Sequence, residues 1–203
     1  MILEPRKREQ VIPLPVVLIS TIGKDGVRNA APWSCVMPVL RPLDDIAIAS
    51  WIKRDTLNNI RETGEFVVNV PTVDMIEAIV ISSRDYPPDV DEFEKAGLKP
   101  RISQKVKAPG IDGCIAWAEC SLVEEISRKN YSIVIGKVIH LEVNDSFFNK
   151  DGEMDYEKAK PLSVMLREKG MHFTYPVFTG KEMKYTEMFL SNKDQASVIE
   201  EEK

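Results

Sequence analysis

The sequence predicts a mainly β protein, a small barrel with helices inserted between its strands. Two observations lead there. Apolar, β-branched runs of strand length at residues 16–22, 46–51, 66–70, 115–125 and 131–143 dominate the chain and are bounded by turn-forming residues. Helical patterns are fewer and fall between them, and no strand is followed by the G-x-G-x-x-G turn that opens a doubly wound dinucleotide fold.

Residues 16–22 form a β-branched strand between Pro15 and Gly23. Lys24-Asp25-Gly26 is a hairpin turn that returns the chain as residues 27–31. Residues 46–51 follow, entered through Pro42-Leu43-Asp44-Asp45. Residues 56–63 read as a short helix closed by Gly64, and 66–70 as a strand stopped by Pro71. Met75, Ile76, Ala78, Ile79 and Val80 predict a second helix over 72–81 with Thr72 as its N-cap. Residues 91–96 hold one more helical turn or two before Gly97. Strands 115–125 and 131–143 form the spine of the sheet, and Gly136 marks a bend or a close backbone approach. Beyond Asn144 the chain turns polar; a short helix is expected over 161–169, and the end from 191 to 203 is expected to fray. This divides the chain into a barrel domain over 1–145 and a C-terminal extension over 146–203 that packs on the barrel or on a partner subunit.

At 203 residues, 43% of them apolar, the chain can bury a sizeable core without disulfides or a structural metal. Its net charge is −5, with acids and bases interspersed, which leaves no electrostatic footprint for nucleic acid or an anionic membrane. Cys35, Cys114 and Cys120 are too sparse for a disulfide framework and fit a reducing compartment. The amino terminus turns charged within a few residues, unlike a signal peptide, and no apolar run approaches the about eighteen residues a bilayer requires. These features read as cytoplasmic.

Walker A, H-E-x-x-H and nucleophile-elbow motifs are absent. His140, Cys114 and Cys120 are conceivable metal ligands, but no pair has zinc-like spacing; buried reduced cysteines are the plainer reading, and no metal is expected. One region is specific. Asn29-Ala30-Ala31-Pro32-Trp33-Ser34 leads to Ser50-Trp51-Ile52-Lys53-Arg54-Asp55-Thr56-Leu57-Asn58-Asn59-Ile60, and then to Arg61-Glu62-Thr63-Gly64-Glu65-Phe66-Val67-Val68-Asn69-Val70-Pro71. Val90-Asp91-Glu92-Phe93-Glu94-Lys95-Ala96-Gly97-Leu98, Ala108-Pro109-Gly110-Ile111, Ala118-Glu119-Cys120 and Ile135-Gly136-Lys137-Val138 follow in order. The ordered set resembles the flavin reductase-like family, the FMN-binding split-barrel oxidoreductases, over residues 12 to 144. The resemblance implies a Greek-key split β-barrel that forms a homodimer and holds one non-covalent FMN per subunit near the interface.

Lys53 and Arg54 immediately precede the helix that begins near Thr56. Backbone N–H groups at a helix start, cations and a hydroxyl are what phosphate recognition needs, although Lys-Arg alone also reads as a solvated basic turn. Asp55 either caps this helix or points away from a phosphate. Under the resemblance, Asn29, Ala30, Ala31, Pro32, Trp33, Ser34 and Cys35 run beside the isoalloxazine ring, and Ser50 and Trp51 belong to the same site as Lys53, Arg54 and Thr56. Small Ala30 and Ala31 permit close backbone approach, Pro32 removes a donor and Ser34 offers a hydroxyl. Trp33 either stacks near the ring or is an ordinary core aromatic. Asn69, between valines, reads as a structural hydrogen-bonder. Residues 171–175 depart from the family's glycine-rich pattern, so no role is carried over to them; apolar docking of the extension is the plain reading.

No residue is obliged to act as general acid or base, because a flavin carries its own chemistry and the protein supplies binding and orientation. Three functions are open: an NAD(P)H-dependent reductase of flavin or another acceptor, an electron carrier of the flavoredoxin type that exchanges with a redox protein, and a non-catalytic flavin-binding module. Many family members carry an Asp-His pair just before the strand that here begins at Tyr131. This chain has Lys129-Asn130-Tyr131 there, and asparagine carries neither the charge nor the titration of imidazole. Slow or absent direct reduction by NAD(P)H is the expectation.

Overall fold

A computed structural model describes residues 1–39 and 43–181. In chain order its strands are β1 (Leu14–Pro15), β2 (Val17–Ile22), β3 (Arg28–Trp33), β4 (Val36–Pro38), β5 (Asp45–Trp51), β6 (Glu65–Val70), β7 (Pro100–Arg101), β8 (Gly110–Ile111), β9 (Ala116–Ser127), β10 (Tyr131–Val143), β11 (Ser163–Arg167) and β12 (Gly170–Thr174). The helices are α1 (Asp55–Thr63), α2 (Ile76–Ser82), α3 (Glu92–Ala96) and α4 (Tyr156–Ala159).

A seven-stranded sheet runs β3-β2-β6-β9-β10-β5-β4, antiparallel at every pairing. Its two edges, β3 and β4, are consecutive in the chain, joined through Ser34 and Cys35, yet no ladder connects them among the described residues. The sheet therefore curls on itself and stays open along one seam, a split barrel. Register shifts at Ile135/Gly136 and Val138/His140 supply local bends. Gly136 also makes a close approach, because a Cβ there would run into the ring of Phe66.

Both faces of β2 are buried. Val17 and Ile19 join Ile48, Leu57, Ile60, Phe66 and Val134 in one cluster, while Val16 and Leu18 join Ala30, Ile79, Phe93, Trp117 and Val164 in the other. A strand covered on both sides reads as an unbroken apolar run, which is why residues 16–22 show no alternation. The helices cover the sheet: α1 contributes Leu57 and Ile60 to the first cluster, and α2 and α3 contribute Ile79 and Phe93 to the second. Asn69 is fully buried and spent internally, donating to Leu18 O and Ser20 Oγ at 2.9 Å each and accepting from Ile111 N at 2.8 Å.

The expected helix over 161–169 is instead strand β11, paired with β1 on one side and β12 on the other. Leu162, Val164 and Leu166 recur with period two, and the first two are buried in the second cluster. Residues 171–175 fall largely in β12, where Phe173 packs on the same cluster. The expectation of a frayed end at 191–203 falls outside the described residues. No described helix is long and apolar enough to cross a membrane.

A candidate ligand cavity at the barrel seam

A cavity of about 1110 Å³ opens where the seam meets α1. The end of β3 and the Ser34-Cys35 link form one wall, and Ala49, Ser50 and Trp51 at the end of β5 form another. The link holds its register through Ala49 N, which donates to Cys35 O at 3.0 Å. The start of α1 closes the third side, and Ser82, Ser83, Arg84, Asp85, Tyr86 and Pro88, at and after the end of α2, face it.

Of the residues singled out in the sequence, Asn29, Ala31, Pro32, Trp33, Ser34, Cys35, Ser50, Trp51, Lys53, Arg54 and Thr56 line this cavity. Ala30 does not: strand alternation turns its methyl into the core, where it is 0% exposed. Its contribution to the site is its backbone N–H. Pro32 sits on an edge strand, the place where a missing ladder donor is tolerated. Residues 171–175 lie away from the cavity.

Helix α1 begins without a side-chain cap, and its first intrahelical acceptor, Arg54 O, is reached by Asn58 N. The N–H groups of Asp55, Thr56 and Leu57 thus have no helical partner, and the helix dipole adds partial positive charge at the same point. Lys53 and Arg84 have no carboxylate partner among the described residues, and Arg54 meets only the exposed Asp85, at 3.3 Å. Asp55 stands in the first turn rather than at the cap, and burial together with Asp85 pushes its carboxyl up. Thr56 is buried, and its hydroxyl donates to Asn29 Oδ1 at 2.8 Å, so its hydrogen is already committed.

Behind that corner runs a buried polar chain. Asn59 Nδ2 donates to Thr21 Oγ1 at 3.0 Å, and Thr21 Oγ1 in turn donates to Asn29 Oδ1 at 3.3 Å. Asn29 Nδ2 donates to Glu92 Oε2 at 2.9 Å, and Ala30 N donates to the same oxygen at 2.8 Å. Glu92 is 6% exposed and lines the cavity. Burial pushes its carboxyl up to about 7, against the opposing pull of the Ala30 hydrogen bond.

Aromatic residues of β3, β5 and β10 line the cavity: Trp33, Trp51 and Tyr131. Trp33 also packs against the barrel core, and its Nε1 is buried without a hydrogen-bond partner among the described residues. Trp51 and Tyr131 face each other across the β5–β10 ladder and are 63% and 43% exposed. At the rim Arg61 clamps Glu125 through Nη2 to Oε1 at 2.6 Å and Nε to Oε2 at 3.0 Å, and with Ser132 it holds the Glu125 carboxyl down at about 2.

Arg8, Arg84, Tyr86, Glu92 and Tyr131 were not singled out as site residues, because the fold brings them in from distant segments. Glu92 sits in a stretch already noted for its resemblance, but only its burial beside Asn29 marks it, and burial is not written in one sequence.

A model of the flavin reductase like domain matches residues 8–160. A protein of Methanothermobacter thermautotrophicus with no characterised function is 52% identical over 199 residues, covering 96% of this chain and 94% of its own. Nitrilotriacetate monooxygenase component B from Bacillus cereus superposes with a TM-score of 0.78 at 25% identity, covering 91% of this chain and 98% of that one. Flavoredoxin of Desulfovibrio vulgaris gives 0.79 at 20% identity, covering 91% and 99%, a likeness of fold.

Proposed function

The chain belongs to the flavin reductase-like family, and from that premise we propose that the seam cavity binds FMN non-covalently and that the protein is an oxidoreductase passing electrons from NAD(P)H or a reduced protein donor to flavin or another acceptor. One observation carries the reading. A single cavity joins an uncapped helix start flanked by Lys53 and Arg54 to a wall of small and aromatic residues from Asn29 to Cys35. Such a pairing suits a ligand with a phosphate at one end and a flat ring at the other.

In this assignment Lys53, Arg54 and the free N–H groups of the first α1 turn hold the phosphate. Thr56 acts through Asn29 rather than through its own hydroxyl. Ala31, Pro32, Trp33, Ser34, Cys35, Ser50 and Trp51 bound the ring. The bound flavin supplies the one- or two-electron chemistry. The chain's own part is to orient it and to limit water.

A homodimer fits the same surface. Met37, Trp51, Val123, Tyr131, Ile139 and Leu141 are exposed on β4, β5, β9 and β10, and Trp51 and Tyr131 also border the cavity. A second copy related by two-fold symmetry would cover this apolar face and narrow the cavity mouth.

A flavin spectrum that survives desalting of the purified protein is the first expected result. Lys53→Ala combined with Arg54→Ala should then weaken FMN by about 10- to 100-fold through lost charge-assisted hydrogen bonds. Riboflavin, which lacks the phosphate, should change by no more than about twofold on the same reasoning. Equal loss for both flavins would remove the assignment. An electron carrier of the flavoredoxin type is the second reading, favoured by Lys129-Asn130-Tyr131 standing where the resemblance implies an Asp-His pair; the Asn130 backbone carbonyl accepts from Ile52 N at 3.3 Å next to the cavity. Stopped-flow mixing with NADH and NADPH decides between the two: fast, saturable bleaching supports the reductase, and bleaching only by a reduced protein supports the carrier.

A further inference from the structure

We propose that Glu92 is a ligand-facing acid of the seam cavity, bound to the flavin phosphoester as a neutral carboxylic acid, so that ligand binding takes up one proton at Glu92 Oε1 and ligand release returns it to solvent. The inference rests on the reading of the cavity as an FMN site and adds a residue and a proton to it.

The geometry fixes which oxygen carries the proton. Both Asn29 Nδ2 and Ala30 N donate to Oε2, at 2.9 and 2.8 Å. An oxygen that already accepts two donors is a poor place for a hydrogen, so protonation falls on Oε1. Oε1 has no hydrogen-bond partner among the described residues and is not among the fully buried polar atoms, while Glu92 lines the cavity. The side chain therefore presents one satisfied oxygen to the protein and one uncommitted oxygen to the ligand space.

The surrounding charges decide which form survives binding. Asp91, which caps α3, and Glu94 within it flank Glu92, and both are drawn to Arg28 of β3, at 2.6 and 3.5 Å. Across the gap the start of α1 contributes Asp55 and the preceding Arg54, of which Asp55 opposes ionisation and Arg54 favours it. Helix α2, which packs against α3, adds only the exposed Glu77, and the segment after it adds Arg84 and Asp85. Free of ligand, the carboxyl titrates at about 7, so above neutrality it is largely ionised. A dianionic phosphate placed among Lys53, Arg54 and the α1 start consumes the cationic field that tolerates this ionisation. Closing the cavity with a ring removes water from Oε1 as well. Both changes penalise the carboxylate and favour the acid, in the same direction.

Titration calorimetry of flavin-free protein with FMN at pH 8, repeated in two buffers of different ionisation enthalpy, reads the proton directly. The wild type should take up most of one proton per FMN, and its FMN dissociation constant should rise by up to about tenfold per pH unit above pH 7. Glu92→Gln keeps the acceptor for Asn29 and Ala30 but cannot titrate; it should bind FMN with no such uptake and a flat profile. An infrared difference spectrum of the wild type on adding FMN gives a second readout that needs no variant, a protonated-carboxyl band appearing at pH 8. FMN binding without proton uptake, or with equal uptake by Glu92→Gln, overturns the role of Glu92 and leaves the cavity assignment standing. Absence of FMN binding to the wild type overturns both.

Discussion

Two buried glutamates lie on opposite kinds of ground. Glu119, on β9, is 1% exposed and accepts three backbone N–H groups, from Gln104 at 2.7 Å, Lys105 at 2.6 Å and Val106 at 3.2 Å. The same loop is tied further by Ser103 Oγ to Ala108 O and by Ser20 Oγ to Pro109 O, each at 2.6 Å. Glu92, nearly as buried, has one oxygen satisfied and the other open toward a cavity. The difference teaches what burial alone cannot. A carboxylate with both oxygens answered by the chain is a clasp. A carboxylate answered on one side only keeps a free valence for something the chain does not supply.

Breaking the clasp is the largest expected effect. Glu119→Gln retains shape but puts an amide NH₂ against backbone donors, so at least one of the three N–H groups loses its acceptor. The expected cost is about 2–4 kcal/mol in urea denaturation at neutral pH. FMN affinity should stay near the wild-type value once the protein is folded, because Glu119 does not reach the cavity. A stability loss below about 0.5 kcal/mol would mean that the loop is held by other bonds and that the contrast with Glu92 is empty.

The pH dependence of stability sharpens the contrast from the other side. Glu92 titrates at about 7 in the fold against 4.5 in the unfolded chain, so the fold binds more protons over that interval. Stability contributed by this group is present below pH 4.5 and is lost as pH rises toward 7, about 3 kcal/mol in all. Glu92→Gln should remove that fall, making the variant less sensitive than the wild type between pH 5 and pH 8. Urea midpoints measured across the interval would contradict the argument if both proteins fell in parallel.

The barrel was legible in the sequence because its long strands carry their own evidence. Tyr131–Val143 keeps an inward set at Ser132, Val134 and Gly136, and the helix closed by Gly64 ends where that glycine adopts φ 72°. The short edge pieces were not legible. β1, β7 and β8 have two residues each, too few to show a period, and they exist because a neighbour offers a ladder. Taken without a partner, the apolar residues of β11 suit a helix as well as a strand; its pairing with Leu14 and Pro15 decides the matter. The same limit applies to the site. The residues from Asn29 to Thr56 lie in two contiguous segments with a recognisable order, whereas Arg8, Arg84, Glu92 and Tyr131 converge only after the sheet has curled. Thr56 shows a subtler limit: residue type offers a hydroxyl, while its bond to Asn29 cannot be read from spacing.

Glu125 at the cavity rim is the third carboxylate and gives the smallest effect, with the opposite sign to Glu92. Arg61 grips it bidentately, Ser132 Oγ donates at 2.5 Å, and the pair is about one-third exposed on the arginine side and 19% on the glutamate side. Its carboxyl titrates at about 2 in the fold against 4.5 unfolded, so the stability it contributes is present above pH 4.5 and is lost as pH falls toward 2. A rim pair in contact with solvent is worth less than about 1 kcal/mol at neutral pH. Glu125→Gln should therefore lower stability only slightly at pH 7 and flatten the acid limb below pH 4.5, while leaving the decline between pH 5 and 7 that belongs to Glu92. It also releases Arg61, which lines the cavity, from its only carboxylate among the described residues. A freed guanidinium at that rim should hold or modestly strengthen FMN binding, by up to about threefold. Weaker FMN binding in Glu125→Gln would show that Arg61 serves the cavity only when Glu125 fixes its orientation, and the rim would then join the site rather than border it.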